Sequence, residues 1–395
     1  MGLMSSTFLR AFIVRLFLTI VSNVNAQTKV FNVMSYGAVA DGKTDNTKSF
    51  LSAWNDACEW RGEGTVLVPS GTYQLGAINF KGVCNGKMVF NVDGTIKAPP
   101  YSPGDDRWIV FNHVNDLIVT GNGVFDGQGA TAWPHNSCDQ SLNCKPLPPS
   151  LYFQNVTNAL VKNITSINSK QFHFIINGST NVSMSSLNIR APSDSRNTDG
   201  IHVGNSNNIH ISQSTIGTGD DCISLGPGSK SVVITDVNCG PGHGISVGSL
   251  GRYAGEEDVI GIYVKNCNLT GTTNGLRIKT WASPQSLLAY NLTYKNIHMD
   301  NVQNPIFIDQ KYCPNSLCQS QGSSQVQIEL VKFINIMGTS SSLVAVDLKC
   351  SKSKPCKGIE LNNIHLDYNG EGPSTATCSN VNQISYQNEV VPSCT

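Results

Sequence analysis

Three short segments of the chain fall into one frame when laid 22 residues apart. Asp199-Gly200-Ile201, Asp221-Cys222-Ile223 and His243-Gly244-Ile245 each place a polar group two residues before an isoleucine, and Gly275-Leu276-Arg277-Ile278-Lys279 continues the pattern. A repeat of this length holding one short strand is the signature of a solenoid, in which coil stacks on coil at the ~4.8 Å spacing of neighbouring strands. Ile201, Ile223, Ile245 and Leu276 are then expected in one core ladder, and Val203, Leu225, Val247 and Ile278 in a second. Alternation sends His202, Ser224, Ser246 and Arg277 to the outer face, with Lys279 beside them if the strand bends. Asp199, Asp221 and His243 share the parity of the core isoleucines, and Asp220 has the opposite one. A turn or bulge before each strand is therefore required to bring all four outward.

The rest of the chain fits an all-β solenoid closed by one helix. Residues 1–26 read as a signal peptide: Arg10 and Arg15 flank and split an apolar run, Val24-Asn25-Ala26 offers a cleavage site, and the run is too short for a membrane span. From Asn46 to Glu59 the period turns helical, with Phe50, Leu51, Trp54, Ala57 and Cys58 on one face and Asp45 or Thr44 as N-cap, as suits a cap over the first coil. Residues 126–149 read as a loop. Aliphatic pairs at Val182/Met184, Ile209/Ile211, Val232/Ile234 and Ile260/Ile262 step by 27, 23 and 28 residues, with Val326/Ile328 and Ile359/Leu361 as later members. Asn at the turns suits left-handed corners and stacking between coils. Residues 373–395 read as a disulfide-held tail over the last coil. No linker divides residues 27–395, so one domain is expected there.

Arg10 and Arg15 are the only charges of the leader, so the 27 basic and 27 acidic residues of the whole chain leave an acidic excess of two in the remainder. No global basic field exists to hold nucleic acid or an anionic membrane, and neither is expected as a partner. Thirteen cysteines in an exported chain imply disulfides with one thiol left over. Short-range pairing suggests Cys58–Cys84, Cys138–Cys144, Cys222–Cys239, Cys313–Cys318, Cys350–Cys356 and Cys378–Cys394, leaving Cys267 as a buried thiol. Asn155, Asn163, Asn177, Asn181, Asn268 and Asn291 head glycosylation sequons.

Stacking brings Asp199, Asp220 and Asp221 together. Acids so placed repel and push one pKa upward, which no fold needs for stability. Paired carboxyls in different protonation states are the machinery of glycoside hydrolysis. Calcium binding is the rival use of such a cluster, but Arg277 and Lys279 close by argue against a cation. His243, between two glycines in the same column, can bond an acid and hold its proton. Arg277 and Lys279 suit a substrate carboxylate, with Tyr312 on a later coil as an aromatic rim. An acidic sugar polymer is the substrate these residues imply, with no cofactor and no metal.

Asn197-Thr198-Asp199, Gly219-Asp220-Asp221-Cys222, Gly242-His243-Gly244 and Arg277-Ile278-Lys279 resemble the four signature motifs of family 28 glycoside hydrolases, the polygalacturonases. The resemblance covers nearly the whole chain after the leader, including Tyr36-Gly37-Ala38 and Asp41-Gly42. It implies an all-β, right-handed parallel β-helix that hydrolyses α-1,4 galacturonosidic bonds of pectin with inversion. By resemblance, Asp220 is the general acid, Asp199 and Asp221 activate water, His243 is the active-site histidine, and Arg277, Lys279, Tyr312 and Asn197 bind substrate. Inversion implies acid and base carboxyls ~6.5–9.5 Å apart. Gly123 to Gly129 and Gly248 to Arg252 are similar to plant members, most of all the pollen-type exopolygalacturonases. An exo-acting, extracellular, cell-wall enzyme working as a monomer is the expectation. Endo action, a pectate lyase on the same helix, and a non-catalytic pectin-binding protein are the alternatives.

Overall fold

The computed structural model describes residues 27–394, apart from 103, 105, 139–140, 142–143, 315–317 and 319–321. The signal segment expected at 1–26 lies outside them. Strands pair in parallel from one coil to the next and form a right-handed β-helix with a 21-stranded sheet and an 11-stranded sheet. In the first half each coil gives the larger sheet two short strands, such as Thr157–Lys162 and Thr165–Ile167. From Val259–Thr270 onward one long strand serves both ladders, pairing with Lys230–Thr235 and with Asn238–Cys239.

The core ladders of the smaller sheet follow the expected register: Ile201 pairs with Ile223, Ile223 with Ile245 and Ile245 with Leu276. In the larger sheet the pairs at Val182, Ile209 and Val232 align as expected. The next coil differs. Val232 and Ile234 pair with Ile262 and Val264, while Ile260 sits opposite Lys230, because the coil from Val232 to its partner Ile262 takes 30 residues where a step of 28 was expected. Val331 and Phe333, rather than Val326 and Ile328, continue the ladder to Ile359 and Leu361. Both pairs read apolar-x-apolar, Phe333 being aromatic where an aliphatic residue was expected, and the pairing separates them.

The helix Thr47–Glu59 covers the first coil with Phe50, Ala53, Trp54 and Ala57, all fully buried. Trp54 packs on Phe80 at 4.8 Å and donates its indole N–H to the Lys81 carbonyl at 3.0 Å. Leu51 does not join them: it faces solvent, and Ala53 takes the place against the coil. The N-cap is Asn46, not Asp45 or Thr44. Asn46 uses its side chain to bridge Val39, Thr44 and Gln74, and Asp45 accepts from the Thr47 N–H in its stead. Beyond the cap, Phe80, Phe111 and Phe153 stack coil on coil at 5.4 and 5.3 Å.

Asparagines hold the corners in left-handed conformation, and their amides link the coils: Asn208 donates to Asn181, and Asn335 to Asn296. The expected loop over 126–149 contains two short 3-10 turns, Gly129–Thr131 and Trp133–His135. The C-terminus is not a tail. Thr375–Ser379 and Val381–Val391 pair in parallel with the strands before them and form a further coil, because Ala376, Ile384 and Val390 supply the apolar residues that such a coil packs inward. All six expected disulfides form, and Cys267 is a buried free thiol. Such a set suits an oxidising compartment.

Candidate active site

The site lies on the outer face of the smaller sheet, over the strands Ile201–Gly204, Ile223–Leu225, Ile245–Leu250 and Asn274–Trp281. His202, Ser224, Ser246 and Arg277 form one outward row across them. The turn that parity demanded is present: the chain bends at Gly200, at Gly219, Asp220 and Cys222, and at His243, immediately before each strand. Gly242 and Gly244 have φ of 151° and 83°, where a side chain would be strained, and a Cβ on Gly244 would stand 2.0 Å from the Asn274 carbonyl oxygen. Cys222 turns inward and is tied to Cys239, which anchors the double-acid turn. All eight residues singled out in the sequence line one cavity of about 650 Å³.

Each acid has its own surroundings. Asp221, 1% exposed, accepts from Arg277 Nη2 at 2.9 Å and Ser246 Oγ at 2.7 Å on one oxygen, and from Lys279 Nζ at 2.8 Å on the other. Arg277 and Lys279 thus face an acid of the protein as well as the cavity. Asp220 accepts from His243 Nδ1 at 2.9 Å, from the Asp221 N–H at 2.8 Å and from Asn197 Nδ2 at 3.3 Å. Asn197 has a φ of 58° and is itself held by Asn136 at 3.0 Å. Asp199, 5% exposed, accepts from Ser224 Oγ at 2.7 Å, and Ser224 lies 2.8 Å from His202 Nδ1.

Burial, followed by the charges of Asp220 and Asp221, lifts the Asp199 carboxyl well above the usual carboxylate range; Lys279 and Ser224 do not cancel this. Burial would raise Asp220 too, but the hydrogen bond and charge of His243, with Lys279 and Arg277 behind, hold it below that range. The same hydrogen bond raises His243 against the effect of its own burial. Two adjacent carboxyls are thereby driven apart in proton affinity, the condition for dividing acid and base roles.

Tyr312 sits over Lys279, its ring centre 5.4 Å from Nζ, and meets Trp281 edge to face at 5.5 Å. Several lining residues were not singled out from sequence. Ser224 and Ser246 were visible as outward positions, but nothing in the one-dimensional pattern shows that each bonds an acid of the preceding coil. Phe172, stacked on His202 at 5.1 Å, and Arg252, over the Trp281 ring at 4.9 Å, reach the cavity from loops. One oxygen each of Asp220 and Asp221 and one nitrogen of His243 lie within 4.8 Å of one another, a spacing that a metal ion could bridge. Both oxygens of Asp221 already serve a cation, which makes the trio a poor cage for another.

Fold and groove together define a β-helical glycoside hydrolase. The chain belongs to glycosyl hydrolases family 28, whose model matches residues 58–394. It is 46% identical over 362 residues to an exopolygalacturonase of Platanus acerifolia, a match covering 91% of this chain and 96% of that one. To a polygalacturonase of Gossypium barbadense it is 44% identical over 373 residues, covering 94% and 92% of the two chains. Among solved structures it is similar in fold to the endo-xylogalacturonan hydrolase of Aspergillus tubingensis, with a TM-score of 0.76 at 24% identity over 91% of this chain and 99% of the other.

Proposed function

We propose that the protein is an exo-acting polygalacturonase of the plant cell wall, exported by its leader and built as one domain over residues 27–395. It removes terminal galacturonate from α-1,4-linked galacturonan with inversion. The observation that carries this reading is the apposition of Arg277 and Lys279 to three carboxyls in one groove. With Asp199 protonated in the free site, the carboxylates of Asp220 and Asp221 balance the two cations. Protonated His243 then leaves one positive charge for a substrate carboxylate.

Asp220 acts as general acid and Asp199, with Asp221, as the base that activates water. In the free site the proton resides on Asp199 and on His243, with Asp220 ionised. A substrate carboxylate at Arg277 and Lys279 screens two of the charges that hold Asp220 down. The proton on His243 Nδ1, 2.9 Å away, then has a stronger base to move to. A neutral Asp220 removes one of the two charges that raise Asp199, which eases the loss of the Asp199 proton to water in the open groove. Protons in such a site belong to the cluster and not to single residues.

Exo action is supported by the ends of the groove. Along the outward row toward the N-terminus, Val110, Tyr152 and Ile175 follow His202 in register, and all three are buried. Phe172 packs on that patch and Arg107 lies 4.0 Å over the Tyr152 ring, so the sheet is covered where an open groove would continue. Cys138 and Cys144 on that side, and Tyr312 and Pro314 on the other, bound the cavity. A time course on a defined oligogalacturonate tests the reading. Monomer as the only early product supports exo action, mixed oligomers endo action, and a new ultraviolet-absorbing double bond a lyase.

A further inference from the structure

His202 has no part in the chemistry above, yet it is built into the groove with care. Its ring stacks on Phe172, and Nδ1 meets the Ser224 hydroxyl that also serves Asp199. Among the described residues Nε2 has no hydrogen-bond partner, and it is not sealed in the interior. Two glycines leave room above it. A Cβ on Gly226 would stand 3.3 Å from Nε2, and one on Gly204 3.7 Å. Neither glycine has a left-handed backbone, so the space they leave, and not their conformation, accounts for them.

The direction of the hydrogen bonds follows from proton counting. When Asp199 is ionised it only accepts, so Ser224 donates to it. The serine has one proton, so His202 must donate from Nδ1, which leaves Nε2 as a bare acceptor facing the groove. Only a proton on Asp199 Oδ2 lets the chain run the other way, with Nε2 carrying the hydrogen.

We propose that His202 reads a hydroxyl of the sugar bound over Asp199: the hydroxyl donates to Nε2, fixes the chain in its first direction and so favours the ionised, base-competent Asp199. This rests on the reading of the site as a galacturonan hydrolase. Burial, then the charge of Lys279, lowers His202 to about 4, so the ring is neutral where the contact requires a lone pair. The charged groups facing Asp199 are Asp220, Asp221 and Lys279, and those facing His202 are Lys279 and Asp221. None of them moves in the test variants.

The test is steady-state kinetics on trigalacturonate across pH for the wild type, His202→Phe, His202→Gln and Gly226→Ala, each checked for a cooperative melt. His202→Phe keeps a ring on Phe172 without the lone pair. It should raise KM roughly three- to tenfold, the worth of one neutral hydrogen bond, and move the acid limb of kcat to higher pH. A merely structural residue would not shift that limb, which reports the enzyme–substrate complex. The glutamine carbonyl of His202→Gln should recover most of the KM, and Gly226→Ala should raise KM with the imidazole intact. KM and acid limb both at wild-type values in folded His202→Phe, or wild-type KM in folded Gly226→Ala, overturns the contact alone. A wild type that leaves trigalacturonate uncut overturns the hydrolase reading and the contact with it.

Discussion

Asp199 and Asp221 stand one coil apart, and each accepts a hydroxyl from a serine 25 residues further on, yet only Asp221 is paired with cations. The repeat has placed two equivalent carboxylates in opposite electrostatic surroundings. Asp199 is raised, chiefly by burial. A raised carboxyl contributes stability that is complete below its unfolded value, here 3.8, and is lost as pH rises through the folded value. Asp199→Asn should therefore melt about 2 °C or more above the wild type at neutral pH, and the gain should vanish below pH ~3.8. Calorimetry across pH checks this, and turnover should fall in the same variant.

Asp220→Asn removes the proposed proton donor while keeping shape and the contact with Asn197. Hydrolysis should fall by about 10²-fold or more, with weak oligomer binding retained and the melting midpoint lowered at neutral pH, where the ionised Asp220 held by His243 contributes stability. Near-normal turnover would displace Asp220 from the acid role.

Lys279→Met strips Asp221 of its partner on one oxygen and takes one cation from the proposed substrate site. Arg277 and Ser246 still satisfy the other oxygen, so stability should drop by about 1–3 kcal/mol and no further, read by urea unfolding. KM for galacturonan should rise at least about tenfold, as for a charge-assisted contact.

His243 is raised by its bond to Asp220, so its stabilising effect is complete below its ordinary value of 6.5 and fades as pH rises through the folded value. Activity should fall along its alkaline limb in step with that titration. Following the imidazole by NMR beside the kcat/KM profile tests the link, and His243→Gln should flatten the limb.

The double variant Cys222→Ala/Cys239→Ala opens a loop spanning a sequence separation of 17, worth about 3 kcal/mol of stability on chain-entropy grounds. It also frees the turn that carries Asp220 and Asp221. Both the unfolding midpoint in urea and kcat should fall.

Much of this was legible in the sequence because a parallel solenoid maps spacing directly onto space. Twenty-two residues from Asp199 to Asp221 and on to His243 meant one coil each, and the cavity holds all eight singled-out residues. What was not legible depended on breaks in that spacing. Ile260 and Ile262 look like their predecessors, and only the register shows that a lengthened coil has slid the core pair on to Ile262 and Val264. Leu51 and Ala53 both fit a helical face, and which one points inward is decided by Trp54 lying against Phe80. Ser224, Ser246 and His202 gain their partners across coils, so their chemistry appears only when the coils are stacked. Arg252 and Phe172 arrive on loops whose paths no periodicity records.

The measurement that bears most directly on the central claim is proton NMR of the anomeric signals in the first minutes of trigalacturonate digestion. Attack by water activated at Asp199, with Asp220 protonating the leaving oxygen from the opposite face, should release galacturonate first as the β-anomer, one residue at a time. First appearance of the α-anomer, or of an unsaturated product, would contradict the account.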